Sequence, residues 1–317
     1  MLYRNTRNKI DSYTAHKVLK AELPVNSGLA LPMNIPVFTE NAVQEILSMP
    51  FSDAVSRILN VFFPEKITSW DVACILGKNP VRVDGIGQKV LVGVLWDNCG
   101  NSAEHLVDSL YGCLCSNTDC QPTRWARVAI TIAVIFGLFA EANKQGFLQL
   151  DFAAAAGDME TVFAAWYAKK MGLPVGTILC VCNENSNTWD FLHRGSLNTA
   201  APVVPSILTE MDVQLPVYLE ALIYSSLGEN VLAQYVAALE EGAIFSLGEE
   251  QLNLLNEGLY SCVVGSNRVA DVISSVSKTD GYSLDAYAAA IYGGLQDYRA
   301  KTGRNCHTLV WASHKPG

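Results

Sequence analysis

Apolar residues recur at i, i+3, i+4 and i+7 in ENAVQEILSMP (40–50) and again in FSDAVSRILNVFFPEK (51–66), which predicts two amphipathic helices. Each begins near a capping residue, Thr39 or Ser52, and each runs to a proline. A connector punctuated by Pro and Gly, SGLALPMNIPVFT (27–39), precedes them. From about residue 80 the pattern changes. VRV and KVLVGVLW are short β-branched runs around DGIGQ and predict two strands. HLVDSLYGCL then reads as a helix, CSNTDCQPT as a loop, and RWARVAITIAVIFGLFAEANKQG as a long buried helix. FLQLDF is a strand. GDMETVFAAWYAKKMG is a helix closed by Gly172 and Pro174, and TILCVC is the next strand, with NENSN beyond it. Residues 203–300, including GEEQLNLLNEGLYSC, read as mainly helical, and TLVWAS as a last strand.

This alternation of strand and helix predicts an α/β fold with a parallel sheet flanked by helices. Ligands of such sheets sit beyond the carboxyl ends of the strands, where DFAAAAGD and CNENSN both fall. The first is a strand-to-helix turn, the kind of place where bare N–H groups at a helix N-terminus hold an anion. Here the expected turn is four alanines, Ala153–Ala156, followed by Gly157 and Asp158. It offers no hydroxyl and no amide side chain.

Composition narrows the function classes. The chain has 317 residues, half of them hydrophobic, 17% charged, and a net charge of −9. An acidic chain with no Lys/Arg block suits neither nucleic acid nor an anionic membrane surface. The N-terminus has no apolar run of the signal-peptide kind, and the longest apolar stretch, 128–140, is too short to span a bilayer comfortably. Nine scattered cysteines are expected to be reduced thiols in a cytoplasmic protein. Cys113, Cys115 and Cys120 lack a CxxC pair, so no metal site is expected.

Several pieces, in order, resemble threonine synthases. YRNTR…SYTAHKVLKAELPVNSGLALPMNIPVFT is similar to the family's opening, Y-x-S-T-R with a "GL-x-x-P…IP-x-F" connector. AWYAKKMGLPVGTILCVCNEN is similar to "AKKMGLP…I-x-A-TNEND", VVPSILTEMDVQ to "PT-x-S-x-MDI", GYSLDAYAAA to "GY-x-x-D-P-H-T-A" and LVWASHKP to "L-x-TAHP". The resemblance implies the large domain of tryptophan-synthase-β-like enzymes, with a threonine-synthase-type N-terminal segment (1–76) before the α/β domain (77–317). It implies an ancestral activity too, the conversion of O-phosphohomoserine and water to threonine and phosphate with pyridoxal phosphate (PLP).

What that chemistry needs is missing from the matching positions. The Schiff-base lysine of "HGPTLAFKDF" falls at Ala103, and no lysine lies between Lys89 and Lys144. The phosphate cup "PTGNFGD" reads FAAAAGD, so Ala153, Ala154 and Ala155 replace Thr-Gly-Asn, ahead of Gly157 and Asp158. The pyridine-nitrogen threonine becomes Trp311 or Ala312, and the His-Thr pair becomes Tyr287 and Ala288. Only CSNTDCQPT stands where the family carries its small closing domain. Trp311 and Tyr287 are expected to pack into the space that PLP occupies in the family. The polar residues expected at the cleft are Asn183, Glu184, Asn185, Arg127 and Asp285; Asp158 and Asp285 serve equally as helix N-caps. His314 carries no weight by itself.

The reading is a threonine-synthase-like protein without PLP, acting as a non-catalytic binding or regulatory homologue. Its expected partners are a second copy, a protein such as an active paralogue, or a small amino-acid-like or phosphorylated ligand. Cofactor-independent chemistry in the remodelled cleft is the alternative, and an active threonine synthase the third reading.

Overall fold

The computed structural model describes all residues except 9, 11, 22, 24–26, 65, 78–80, 88, 97–100, 117–121, 158 and 317. Near the N-terminus β1 (Leu2–Asn5) pairs antiparallel with β2 (Ser12–Thr14) and β3 (Ala30–Pro32). Helices α1 (Ala15–Lys20), α2 (Glu40–Leu47), α3 (Phe51–Phe62) and α4 (Ser69–Leu76) complete the segment. Thr39 caps α2, accepting from Ala42 N. Ser52 does not cap α3: the helix begins at Phe51, with Pro50 at the cap position at φ −57°. The proline ring presets a near-helical φ, so the helix starts one residue before the hydroxyl that was expected to open it.

The α/β part runs β4 (Arg82–Ile86), β5 (Val90–Val94), α5 (Ala103–Cys115), α6 (Arg124–Lys144), β6 (Leu150–Ala155), α7 (Glu160–Lys170), β7 (Val175–Cys182), α8 (Asn187–Arg194) and β8 (Ser196–Asn198). After a 3-10 turn at Thr209–Met211 come α9 (Leu219–Leu227), α10 (Glu229–Glu241), β9 (Ile244–Ser246), α11 (Glu249–Leu255), β10 (Leu259–Val263), α12 (Ser266–Asp280), α13 (Ala286–Thr302) and β11 (Thr308–Ala312). Among the described residues the main sheet has the order β10-β7-β6-β11-β5-β4. It is parallel except for β4, which pairs antiparallel with β5. The last strand in sequence, β11, is thus inserted between β6 and β5, at the centre.

Two expectations need correction. The helical pattern of GEEQLNLL stops at Leu255, and LYSCV, read as its continuation, is the edge strand β10, in register with β7 from Leu259↔Ile178 to Val263↔Cys182. Gly258 at φ +76° makes the break. The alanines are not a turn either. β6 continues through Ala155, with Ala153 opposite Leu179 and Ala154 opposite Cys180. Both are fully buried, and they alternate between the two faces of the sheet. Ala153 packs in the layer of Ala288, Ala289 and Ala290 of α13; Ala154 packs in the layer of α6 and α7. The turn begins only at Ala156.

α6 is, among the described residues, the one helix long and apolar enough to cross a membrane, and its residues from Val128 to Ala140 are buried inside the molecule. α3 of the N-terminal segment packs along it. Phe62 of α3 meets Trp125 of α6 edge-on at 5.4 Å, and Trp125 meets Tyr167 of α7 at the same distance. One core therefore joins the N-terminal helices to this face of the sheet; α12 and α13 cover the other.

Candidate functional site

A cleft of about 370 Å³ opens beyond the carboxyl ends of β6, β11 and β5. The strand order explains its place. Ala155 and Gly157 follow β6, Trp311, Ser313 and His314 end or follow β11, and the start of α5 (Ser102, Ala103, Glu104) closes the side near β5. Arg127 and Thr131 reach it from α6, Glu160 from α7, Tyr287 and Ile291 from α13, and Glu210 and Met211 from the 3-10 turn. No lysine lines it among the described residues.

The head of α7 carries its own anion. Glu160, the first residue of the helix, is 5% exposed. Its Oε2 accepts from Arg127 Nε at 2.7 Å, and its Oε1 accepts from Thr131 Oγ1 at 2.8 Å. Arg127 also lies 3.5 Å from Glu104 and 3.8 Å from Asp108. Burial by itself would lower the Arg127 pKa; the Glu160 carboxylate overcomes this and holds it above the ordinary value. A negative side chain at a helix N-terminus also sits well with the helix dipole. The turn before the helix is covered: a Cβ on Gly157 would lie 3.0 Å from the Glu210 carbonyl oxygen, so the glycine permits this close approach. Met159 completes the turn at φ +69°, a conformation non-glycine residues seldom adopt.

A second polar chain crosses the cleft. Ser313 Oγ lies 2.8 Å from His314 Nδ1, and His314 Nε2 lies 3.1 Å from Glu210 Oε1. The Tyr287 ring rests against the imidazole at 5.0 Å, and its hydroxyl accepts from Glu210 N at 3.4 Å. The hydrogen bond to Glu210 raises the His314 pKa, with burial opposing it.

Of the residues singled out in the sequence, the fold brings Ala103, Ala155, Gly157, Arg127, Tyr287 and Trp311 to this cleft. Trp311, 9% exposed, meets Phe152 edge-on at 6.3 Å; Tyr287 is half-buried. The two rings border the cleft without filling it. Ala153, Ala154 and Ala312 are strand residues in the core and do not line it. Asp158 and Cys120 lie outside the described residues, and the cap position of α7 belongs to Met159.

Asn183, Glu184 and Asn185 are not cleft residues. Asn183 Nδ2 donates to Asp212 at 2.6 Å and to Ser206 at 2.9 Å. Asn185 Nδ2 donates to the Val204 carbonyl at 2.8 Å, and its Oδ1 accepts from Val204 N at 2.8 Å. These amides pin the 202–214 connection to the end of β7, so their polar capacity is spent on the side chains and backbone of that connection. Glu184 accepts from Ser266 N at 2.7 Å and from Ser266 Oγ at 2.8 Å, at the start of α12. Asp285 caps α13, its Oδ1 accepting from Tyr287 N at 2.9 Å and Ala288 N at 3.1 Å. Burial raises its pKa, and these backbone donors offset part of that.

Sequence reasoning missed Glu160, Thr131, Glu104, Glu210 and Ser313. One signal was available. Arg127 and Thr131 are four apart, hence on one face, in a helix otherwise apolar around them. Glu160 and Glu210 have no comparable local mark.

Residues 2–78 match the family profile described as "Threonine synthase N terminus". Threonine synthase from Pseudomonas aeruginosa is 24% identical over 170 residues, covering 52% of this chain and 35% of that protein. Threonine synthase-like 1 from Homo sapiens is 22% identical over 250 residues, covering 72% of this chain and 32% of that protein. The matches thus span about a third of the length of these relatives. PLP-bound threonine synthase from Brucella melitensis superposes with a TM-score of 0.88 at 17% identity, over 100% of this chain and 89% of that one. The yeast enzyme superposes at 0.84 with 13% identity, over 99% and 87%. The chain is similar to threonine synthases and threonine synthase-like proteins, and its fold is the mostly parallel α/β fold of those structures.

Proposed function

We propose that this threonine-synthase-like chain has given up PLP and threonine synthesis and uses the inherited cleft as a cofactor-free binding site. With respect to PLP chemistry it is a non-catalytic homologue, working in the cytoplasm through a small ligand or a partner chain. The carrying observation is the Glu160 carboxylate, buried at the head of α7 and already holding Arg127 and Thr131. A phosphate brought to that helix end meets a fixed negative charge and, over Gly157, a carbonyl oxygen that cannot donate. The residues present therefore do not fit PLP, and Ala103 leaves them without an amine for it.

The short link between α5 and α6, residues 116–123, supports the loss of a closing domain, because so few residues cannot form one. A second copy or an active paralogue remains the proposed protein partner. A small amino-acid-like ligand suits the cleft better than a phosphorylated one, for the reason just given for the cofactor.

The test is direct. Purified protein titrated with PLP is expected to show no internal-aldimine absorbance and no borohydride-fixed adduct on one lysine. With O-phosphohomoserine it is expected to release no phosphate and form no threonine. A stoichiometric adduct or turnover sinks the reading.

A further inference from the structure

We propose that Ser313, His314 and Glu210 form a cofactor-independent acyl-transfer device, in which Ser313 Oγ is the nucleophile toward small esters or thioesters. This rests on the reading that the cleft is free of PLP. It goes beyond that reading in giving the cleft a reaction of its own.

Once His314 is neutral, the geometry fixes the direction of each proton. Glu210, as a carboxylate, only accepts, so a neutral His314 ring keeps its hydrogen on Nε2, 3.1 Å from Glu210 Oε1. Nδ1 is then the bare acceptor, and it lies 2.8 Å from Ser313 Oγ. A hydroxyl, a base and a carboxylate that orients the base stand in one chain, with the two ring nitrogens exchanged relative to the usual serine hydrolase order. All three residues line the same cleft.

The support is rigid where it needs to be. Ser313 directly follows β11, the strand held between β6 and β5, and its carbonyl accepts from Ala103 N at 2.9 Å at the start of α5. The Tyr287 ring packs on the imidazole, and Tyr287 is itself fixed by the Asp285 cap of α13. Val107, Met211, Ile291 and Trp311 supply an apolar wall, and Arg127 the cationic one. A cleft of about 370 Å³ with these walls suits a short apolar acyl group.

The chemistry closes with water alone. Ser313 Oγ bonds to the acyl carbon while its proton passes to His314 Nδ1. The leaving alcohol or thiol takes that proton as its C–O or C–S bond breaks. Water then attacks the acyl-serine and gives a proton to Nδ1, which returns it to Oγ as the carboxylic acid leaves. Nothing is oxidised or reduced.

The experiment pairs a fluorophosphonate probe with hydrolysis of p-nitrophenyl butyrate, on protein without added PLP. The expected result is a single covalent adduct mapped by mass spectrometry to Ser313 and absent in Ser313→Ala. His314→Gln is expected to slow labelling and hydrolysis about 100-fold, and Glu210→Gln about tenfold. Removing the Ser313 side chain leaves its backbone bond to Ala103 intact, and thermal melts verify that each variant is folded. Wild type that is not labelled, or labelling at Ser313 that ignores His314, overturns the proposal and leaves the three residues as a latch holding the Thr209–Met211 turn. Absorbance and borohydride trapping on the same preparation separate the two failures: an aldimine defeats the cofactor-free reading, whereas inert protein without one defeats only the acyl-transfer device.

Discussion

Glu160 and Arg127, 33 residues apart in sequence, meet at 2.7 Å at the head of α7, with Thr131 on the other carboxylate oxygen. The Glu160 side chain is 7% exposed and that of Arg127 is 24%. Removing one partner strands the other in a poorly hydrated place. Glu160→Gln is expected to destabilise the protein by about 2 kcal/mol, less than for a fully buried pair because water still reaches the guanidinium. The double change Arg127→Met with Glu160→Leu is expected to be milder than the sum of the single changes. Urea denaturation of the four proteins measures this, and strict additivity refutes the pairing.

Rebuilding a polar cup at the alanines is expected to damage the fold. Ala153 is fully inaccessible in β6, against α13. Ala153→Thr inserts a larger side chain and a hydroxyl there, which costs about 1–3 kcal/mol. Ala155→Asn, at the partly open end of the strand, is expected to be better tolerated. Thermal melts of the two single variants decide; equal stability of both with wild type means β6 ends before Ala153.

Asp285→Ala removes both backbone acceptor bonds at the start of α13 and is expected to destabilise by about 1 kcal/mol. Asp285→Asn keeps an acceptor oxygen and is expected to lie nearer wild type. Because Tyr287 follows directly, hydrogen exchange at Tyr287 and Ala288 is expected to rise in the alanine variant. Unchanged exchange there means that the cap is not what holds the first turn.

The contact between His314 and Glu210 gives stability a defined pH dependence. The folded pKa of His314 lies above its ordinary 6.5, because Glu210 favours the charged ring, with Asp285 and Glu104 adding to it and burial opposing. A raised folded pKa means that the native state binds the proton more tightly. The stabilisation is therefore complete below about pH 6.5 and fades as pH rises through the folded value. The difference in urea midpoint between wild type and His314→Gln is expected to be largest near pH 6 and to shrink toward pH 9. A difference that grows with pH has the wrong sign for this pair.

Much of the frame was legible along the chain. The apolar runs at helical spacing became α2, α3 and α6, and the β-branched runs became β5 and β7. The order of strands and helices gave the class of sheet, because these patterns are local and set by which residues one element can bury. The positions of Ala103, Arg127, Tyr287 and Trp311 near the cleft followed from the resemblance, residue by residue.

Where local pattern was ambiguous, only packing decided. Ala153 and Ala154 have little strand preference of their own; they are strand because Leu179 and Cys180 pair with them and the helices of both layers close on them. LYSCV became β10 because β7 offered an edge to pair with. Asn183 and Asn185 looked like cleft groups, yet the 202–214 connection folds back and takes their amides. The pairing at the polar heart of the cleft could not be read from sequence. Its pairs join residues from different elements, Arg127 with Glu160 and His314 with Glu210, and a charge shows no preference for a partner until the fold removes the water between them.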